Sequence, residues 1–126
     1  MDTDKHGFED PLTEVVLGAA FEVANTLGPG FLEKVYERAL LRELATRGVK
    51  VDPQVVFEVI YKGHCVGEYV PDILVGDRVL VELKCVDRFT SEHAAQCLNY
   101  LRAAGKATCL LINFQKPKVE WRRFVL

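Results

Sequence analysis

Apolar residues in the first third of the chain recur at spacings of three and four. Leu12, Val15, Val16, Ala19, Ala20 and Val23 fall on one side of a 3.6-residue period, which predicts a helix. Asp10-Pro11 just ahead supplies a side-chain cap and a proline suited to the first helical position, so this helix should run from Pro11 to about Leu27. Gly28-Pro29-Gly30 then releases the chain. A second helix is expected from about Gly30 to Arg47, with Leu32, Val35, Ala39 and Leu40 holding it on a sheet and Gly48 stopping it.

From Val51 the period shortens to two, and β-branched runs alternate with turn residues. Val55–Tyr61 reads as a strand and Lys62-Gly63-His64 as a turn, where His64 should be exposed. Residues 65–75 read as one long strand or two short ones, Gly76-Asp77-Arg78 as a turn, and residues 79–86 as a strand. Thr90 or Ser91 caps a third helix ending near Ala104; residues 108–114 and 119–125 follow as strands. The order α-α-β-β-β-α-β-β describes an α/β fold in which helices flank a mixed sheet.

Composition changes this picture little. A chain of 126 residues, 49% hydrophobic and 27% charged, suits one globular domain, here residues 11–126 behind a flexible tail of residues 1–10. That tail is polar and acidic, lacks the pattern of a secretory signal, and leaves His6 solvated. No apolar run is long enough to span a membrane. The net charge of −2 argues against a strongly basic nucleic-acid binder, yet it allows an enzyme that meets phosphates through acidic metal ligands. Lys116, Lys118, Arg122 and Arg123 read as charges protecting an edge strand. Cys65, Cys85, Cys97 and Cys109 show no zinc-like spacing and sit in apolar stretches, which suggests buried, reduced thiols and a cytoplasmic setting, and disfavours an iron–sulfur cluster.

The strand at residues 79–86 points Val79, Val81, Leu83 and Cys85 one way and Leu80, Glu82 and Lys84 the other. An isolated Glu-x-Lys is ordinarily a solvent-facing ion pair. Here the strand is otherwise apolar, and its neighbour holds Asp72 among Val70, Ile73, Leu74 and Val75. Charges inside apolar strands are costly unless paired or bound to metal. The register of the hairpin decides their relation. A two-residue turn at Gly76-Asp77 would set Asp72 against Val81, whereas a three-residue loop, Gly76-Asp77-Arg78, would set it against Glu82. In the second register the carboxylates form an oxygen-rich site suited to Mg²⁺ or Mn²⁺.

Pro71-Asp72 followed by Glu82-Leu83-Lys84 resembles the PD-(D/E)xK signature of restriction-endonuclease-like nucleases. Gly30, Glu33 and Tyr36 match G-x-x-E-x-x-Y, the pattern naming a family of small proteins assigned to that superfamily, and Gln96 with Tyr100 resembles the QxxxY motif of its RecB-type branch. The resemblance extends over nearly the whole chain after the tail. It implies a restriction-endonuclease-like fold with Asp72, Glu82 and the Leu83 carbonyl on a divalent metal, Glu33 contributed from an early helix, and Lys84 as the catalytic lysine. It also implies that Gln96 and Tyr100 support the site and contact a nucleic-acid strand, DNA before RNA, with Tyr36 on the surface next to Glu33.

On the third helix His93, Gln96 and Tyr100 form a stripe about 60° wide beside the apolar face of Ala94, Cys97, Leu98, Leu101 and Ala104. Such a stripe can equally be the rim of a core. His93 reads as a metal ligand or phosphate contact, or as a hydrogen-bond partner behind the site. The rival to a nuclease is a catalytically inactive binding or assembly module that keeps the carboxylates for structure. A homodimer would help so small a chain to embrace duplex DNA, though no residue demonstrates one.

Overall fold

A computed structural model describes residues 10–126; residues 1–9, with His6, lie outside them, and Asp10, expected to end the tail, belongs to the start of the first helix. The helix α1 (Pro11–Leu27) begins as expected, with the Asp10 carboxylate accepting the Leu12 N–H and Pro11 in the first turn. Asp10 also pairs with Arg78 at 2.9 Å, which ties the start of α1 to a distant turn. The second helix, α2 (Glu33–Thr46), starts three residues later than the sequence suggests. Leu32 is its N-cap rather than part of its apolar face, and at 78% exposure it does not touch the sheet. Leu40 makes that contact as expected, joined by Tyr36 and Leu44.

Seven strands follow, β1 (Val51–Pro53), β2 (Phe57–Tyr61), β3 (His64–Tyr69), β4 (Ile73–Val75), β5 (Val79–Lys84), β6 (Thr108–Asn113) and β7 (Glu120–Val125), with helix α3 (Ser91–Ala104) between β5 and β6. The main sheet has the order β1-β4-β5-β6-β7, and β2-β3 stand apart as an antiparallel hairpin. Only β5 and β6 are parallel, joined through α3; the other neighbours are antiparallel. The result is the expected mixed sheet flanked by helices. The segment 65–75 takes the second of its two expected forms, dividing at Val70-Pro71-Asp72, and the one strand not expected, β1, is short enough to escape a period count.

Strand alternation sorts the core into two halves. Ile73, Val75, Val79, Val81, Leu83, Leu110 and Ile112 face α1 and α2, while Leu74, Leu80, Cys109, Leu111 and Phe124 face α3. Burying both faces makes β5 and β6 almost continuously apolar. Glu82 and Lys84 interrupt that run, on the α3 side. Two of the four cysteines depart from the burial expected of them: Cys97 and Cys109 are buried, but Cys65 is exposed on the hairpin and Cys85 is half-buried. No helix among the described residues is long and apolar enough to cross a membrane.

The β4–β5 turn sets the register that matters. Val75 pairs with Val79, Leu74 with Leu80 and Ile73 with Val81, leaving Gly76-Asp77-Arg78 as a three-residue loop. The loop closes through Arg78 N–H on the Val75 carbonyl, with Gly76 and Asp77 at φ 59° and 61°. Gly76 has a second reason to be glycine, since a Cβ there would lie 2.5 Å from Leu12 of α1. This register carries Asp72 to the position opposite Glu82.

Candidate active site

Asp72 sits where the hairpin stops pairing, and Pro71 is the reason. Hydrogen-bonded pairs at Val75–Val79 and Ile73–Val81 would next be continued by residues 71 and 83. Pro71 has no N–H to give, so the Leu83 carbonyl faces that gap without a ladder donor. The Phe114 N–H donates to Lys84 O on the opposite edge of β5, which agrees with Leu83 pointing toward β4. The Leu83 N–H is taken by a side chain instead, donating to Asp72 Oδ2 at 2.8 Å. In return the Asp72 N–H donates to Glu82 Oε1 at 2.7 Å. Each carboxylate is thus fixed through one oxygen by a backbone N–H of the other's segment. Among the described residues, Asp72 Oδ1 and Glu82 Oε2 have no hydrogen-bond donor.

Burial and neighbouring negative charge raise both carboxylates above their ordinary range. Burial, reinforced by the charges of Glu37 and Glu33 against the opposing Leu83 N–H and Lys84, raises Asp72 to about 6. Glu82, only 4% exposed, is raised further, to about 8, by burial first and the Asp72 charge next. The Lys84 side chain, on the same face as Glu82, has no hydrogen bond or ion pair among the described residues. Lys84 only partly offsets the two carboxylates, which keep one oxygen each without a donor beside the ladder-free Leu83 carbonyl. That donor set suits a hard divalent cation, with water completing the sphere.

Glu33 stands at the edge of this group. It is exposed on the first turn of α2, and its charge reaches Asp72, Glu82 and Cys85, whose thiol burial also raises. It does not close into a three-carboxylate cluster; among the described residues no three acidic, histidine or cysteine side chains come together in that way. Tyr36, expected at the nucleic-acid surface, is instead 1% exposed. Its hydroxyl donates to Gly28 O and accepts the Phe31 N–H, and its ring stacks on Phe114 with centroids 4.8 Å apart. That geometry fixes the Gly28–Phe31 turn and keeps Tyr36 from a ligand.

On α3 the stripe splits by depth. The Tyr100 ring is buried edge-on against Tyr69 of β3 at 5.0 Å. Burial first, and then the charges of Glu82 and Asp72, push its hydroxyl above the ordinary tyrosine range. Gln96, one turn earlier, is half-buried and has no side-chain hydrogen bond among the described residues. His93 Nδ1 accepts the Thr90 N–H at 3.1 Å while Thr90 caps His93, a reciprocal box that gives the imidazole a helix-starting role; among the described residues Nε2 has no hydrogen bond.

Two further residues of this neighbourhood escape sequence reading. Glu37, 5% exposed, accepts from Lys34 at 3.1 Å and from Gln54 Nε2 at 3.0 Å, and among acidic side chains its charge acts most strongly on Asp72. Its position four residues after Glu33 puts both on one helical face, the one signal that could have pointed to it. Gln54, at φ 56°, holds the Asp72 carbonyl with its own N–H at 3.1 Å and Glu37 with its side chain.

A comparison with curated proteins finds no match. Among solved structures, the chain is similar to an alkaline exonuclease from Laribacter hongkongensis, LHK-Exo, at 16% identity over 89% of this chain and 81% of that one, with a TM-score of 0.51. The same protein in complex with dAMP gives 15% identity, 88% and 80% coverage, and the same TM-score. At this identity the likeness is one of fold. The family model for the PD-(D/E)XK nuclease superfamily matches residues 10–124, from the cap of α1 into the last strand. A hairpin that ends at a Pro-Asp, opposite a Glu-x-Lys strand, is therefore found in a chain that belongs to the PD-(D/E)XK nuclease superfamily.

Proposed function

We propose that this chain is a divalent-metal-dependent nuclease that hydrolyses phosphodiester bonds, in DNA before RNA. One observation supports this above the others. The register sets Asp72 opposite Glu82, with an unused oxygen on each and Lys84 on the same face. Asp72, Glu82 and the Leu83 carbonyl would hold Mg²⁺ or Mn²⁺, and Glu33 would add charge from the rim. When bound, such an ion supplies Lewis-acid stabilisation of the charge that builds on the scissile phosphate. The Lys84 ammonium orients the attacking water or steadies that charge. Gln96 and Tyr100 line the α3 side, where they orient the phosphate, and His93 Nε2 is placed to meet the strand. Within the superfamily, the Gly30, Glu33 and Tyr36 pattern and the Gln96–Tyr100 pair favour the GxxExxY proteins with a RecB-type motif.

The test compares degradation of single- and double-stranded DNA and of RNA by wild type, Asp72→Ala and Lys84→Ala, each with Mg²⁺ or Mn²⁺. Wild type should cut only with metal, and both variants should lose about 100-fold or more in rate. No cleavage by wild type, or equal cleavage by a folded Lys84→Ala, would overturn the mechanism. The reciprocal backbone bonds of Asp72 and Glu82 favour one rival, a module in which the carboxylates serve structure alone. Calorimetric titration with Mn²⁺ separates the two, since a purely structural pair binds no ion.

A further inference from the structure

Asn113 closes β6, is completely buried, and uses its whole amide. Its Oδ1 accepts the Val86 N–H at 3.1 Å and the Gln115 N–H at 3.0 Å. Its Nδ2 donates to the Val86 carbonyl at 2.7 Å and to Glu120 Oε1 at 3.1 Å. One side chain therefore grips both polar groups of Val86, two residues beyond Lys84. The parallel register also makes Asn113 the direct neighbour of Lys84, on the α3 face of the sheet. The next backbone group, Phe114 N–H, holds the Lys84 carbonyl at 3.0 Å. Lys84 lies at the last residue of β5, where a strand would ordinarily fray, and Asn113 is what continues its order past the end. A core strand end needs no such device: a buried amide with four hydrogen bonds costs more to satisfy than an apolar residue in the same place.

We infer that Asn113 is a positioning residue for Lys84, fixing the chain that leaves β5 so that the ammonium is directed over Asp72 and Glu82. The inference rests on the nuclease reading for Lys84. An isosteric Asn113→Asp keeps both N–H bonds to Oδ1 and loses the donor to Val86 O and Glu120. Asn113→Ala loses all four bonds.

The experiment measures kcat, KM and Mn²⁺ affinity for wild type, Asn113→Ala, Asn113→Asp, Lys84→Ala and the double variant Lys84→Ala/Asn113→Ala. Alongside, nuclear magnetic resonance records the Lys84 ammonium signal in wild type and both Asn113 variants. Folded Asn113→Ala should lose about 10- to 100-fold in kcat, with KM and Mn²⁺ affinity within about threefold. Asn113→Asp should fall between, and substitution of Asn113 should cost nothing further once Lys84 is gone. A kcat within about twofold of wild type, or an equal further loss in the Lys84→Ala background, would overturn the positioning role. Should Asn113→Ala not fold, Asn113→Asp makes the same comparison. Should wild type itself cut nothing, the nuclease reading fails on its own. The Lys84 signal then decides the positioning claim, which is supported by a shift in the variants and overturned by an unchanged signal.

Discussion

Replacing Glu82 by Gln removes one of two buried like charges while leaving an oxygen for the Asp72 N–H, so its effect on metal-free stability should be opposite to that of most buried substitutions. Both carboxylates are raised in the folded state, to about 6 and about 8, above their ordinary values. The folded state thus binds protons more tightly than the unfolded one, and stability present at low pH is lost as pH rises through those two values. Asp10 and Asp77, lowered by Arg78 and Lys50, act in the opposite sense, but only as pH falls below their ordinary range. Thermal melts of metal-free protein should therefore show Tm falling between about pH 5 and pH 8. Glu82→Gln should flatten the upper part of that slope, and Mn²⁺ should flatten it in wild type. A Tm that is level or rising across the window would contradict the electrostatic account. Tyr36 behaves differently, because its hydroxyl serves the fold. Tyr36→Phe keeps the stacking on Phe114 and loses two hydrogen bonds, for a cost of about 1–2 kcal/mol in urea unfolding with little change in cleavage.

At the scale of the element, the β4–β5 hairpin shows what a sequence can and cannot specify. Its two registers were legible as alternatives, because Gly76-Asp77-Arg78 permits either turn. The choice depended on left-handed backbone at both Gly76 and Asp77 and on Leu12 of α1 packed over Gly76, a contact 64 positions away. Helix α1 was legible to its ends, since Asp10, Pro11 and Gly28 are local signals. The start of α2 was not, because Leu32 resembles a core residue until the Tyr36 hydroxyl pins the preceding turn. Glu37 was hidden for a similar reason: its burial depends on Gln54, from a different segment. Gly76→Ala should destabilise by about 1–2 kcal/mol from the left-handed backbone alone, before the encounter with Leu12 is added. The same variant should bind Mn²⁺ more weakly, as seen by calorimetry, because the turn sets Asp72 against Glu82. An unchanged melting midpoint would show that the turn tolerates a side chain.

Across the whole molecule, the strands β5 and β6 belong to both halves of the core, so neither half can loosen without the other. Far-ultraviolet circular dichroism and Trp121 fluorescence should consequently report one coincident unfolding transition. The hairpin β2–β3 shares no strand pairing with the main sheet, and Val66, Ile60 and Tyr61 on it are largely exposed. Its amides should exchange with solvent well ahead of those of β5 and β6; equal protection would show that it is locked to the rest.

The missing N–H of Pro71 has a consequence for genetics as much as for chemistry. If a main-chain oxygen is one of the groups that receives the ion, no replacement of Leu83 can delete it, and a scan of side chains would pass over it in silence. The residue through which a mutation could reach that oxygen is its neighbour across the gap. Any amino acid other than proline at position 71 brings a hydrogen atom able to close the hairpin by one more pair. Selection on this oxygen would then be recorded in the chain as the persistence of an imino acid that acts through the hydrogen it lacks.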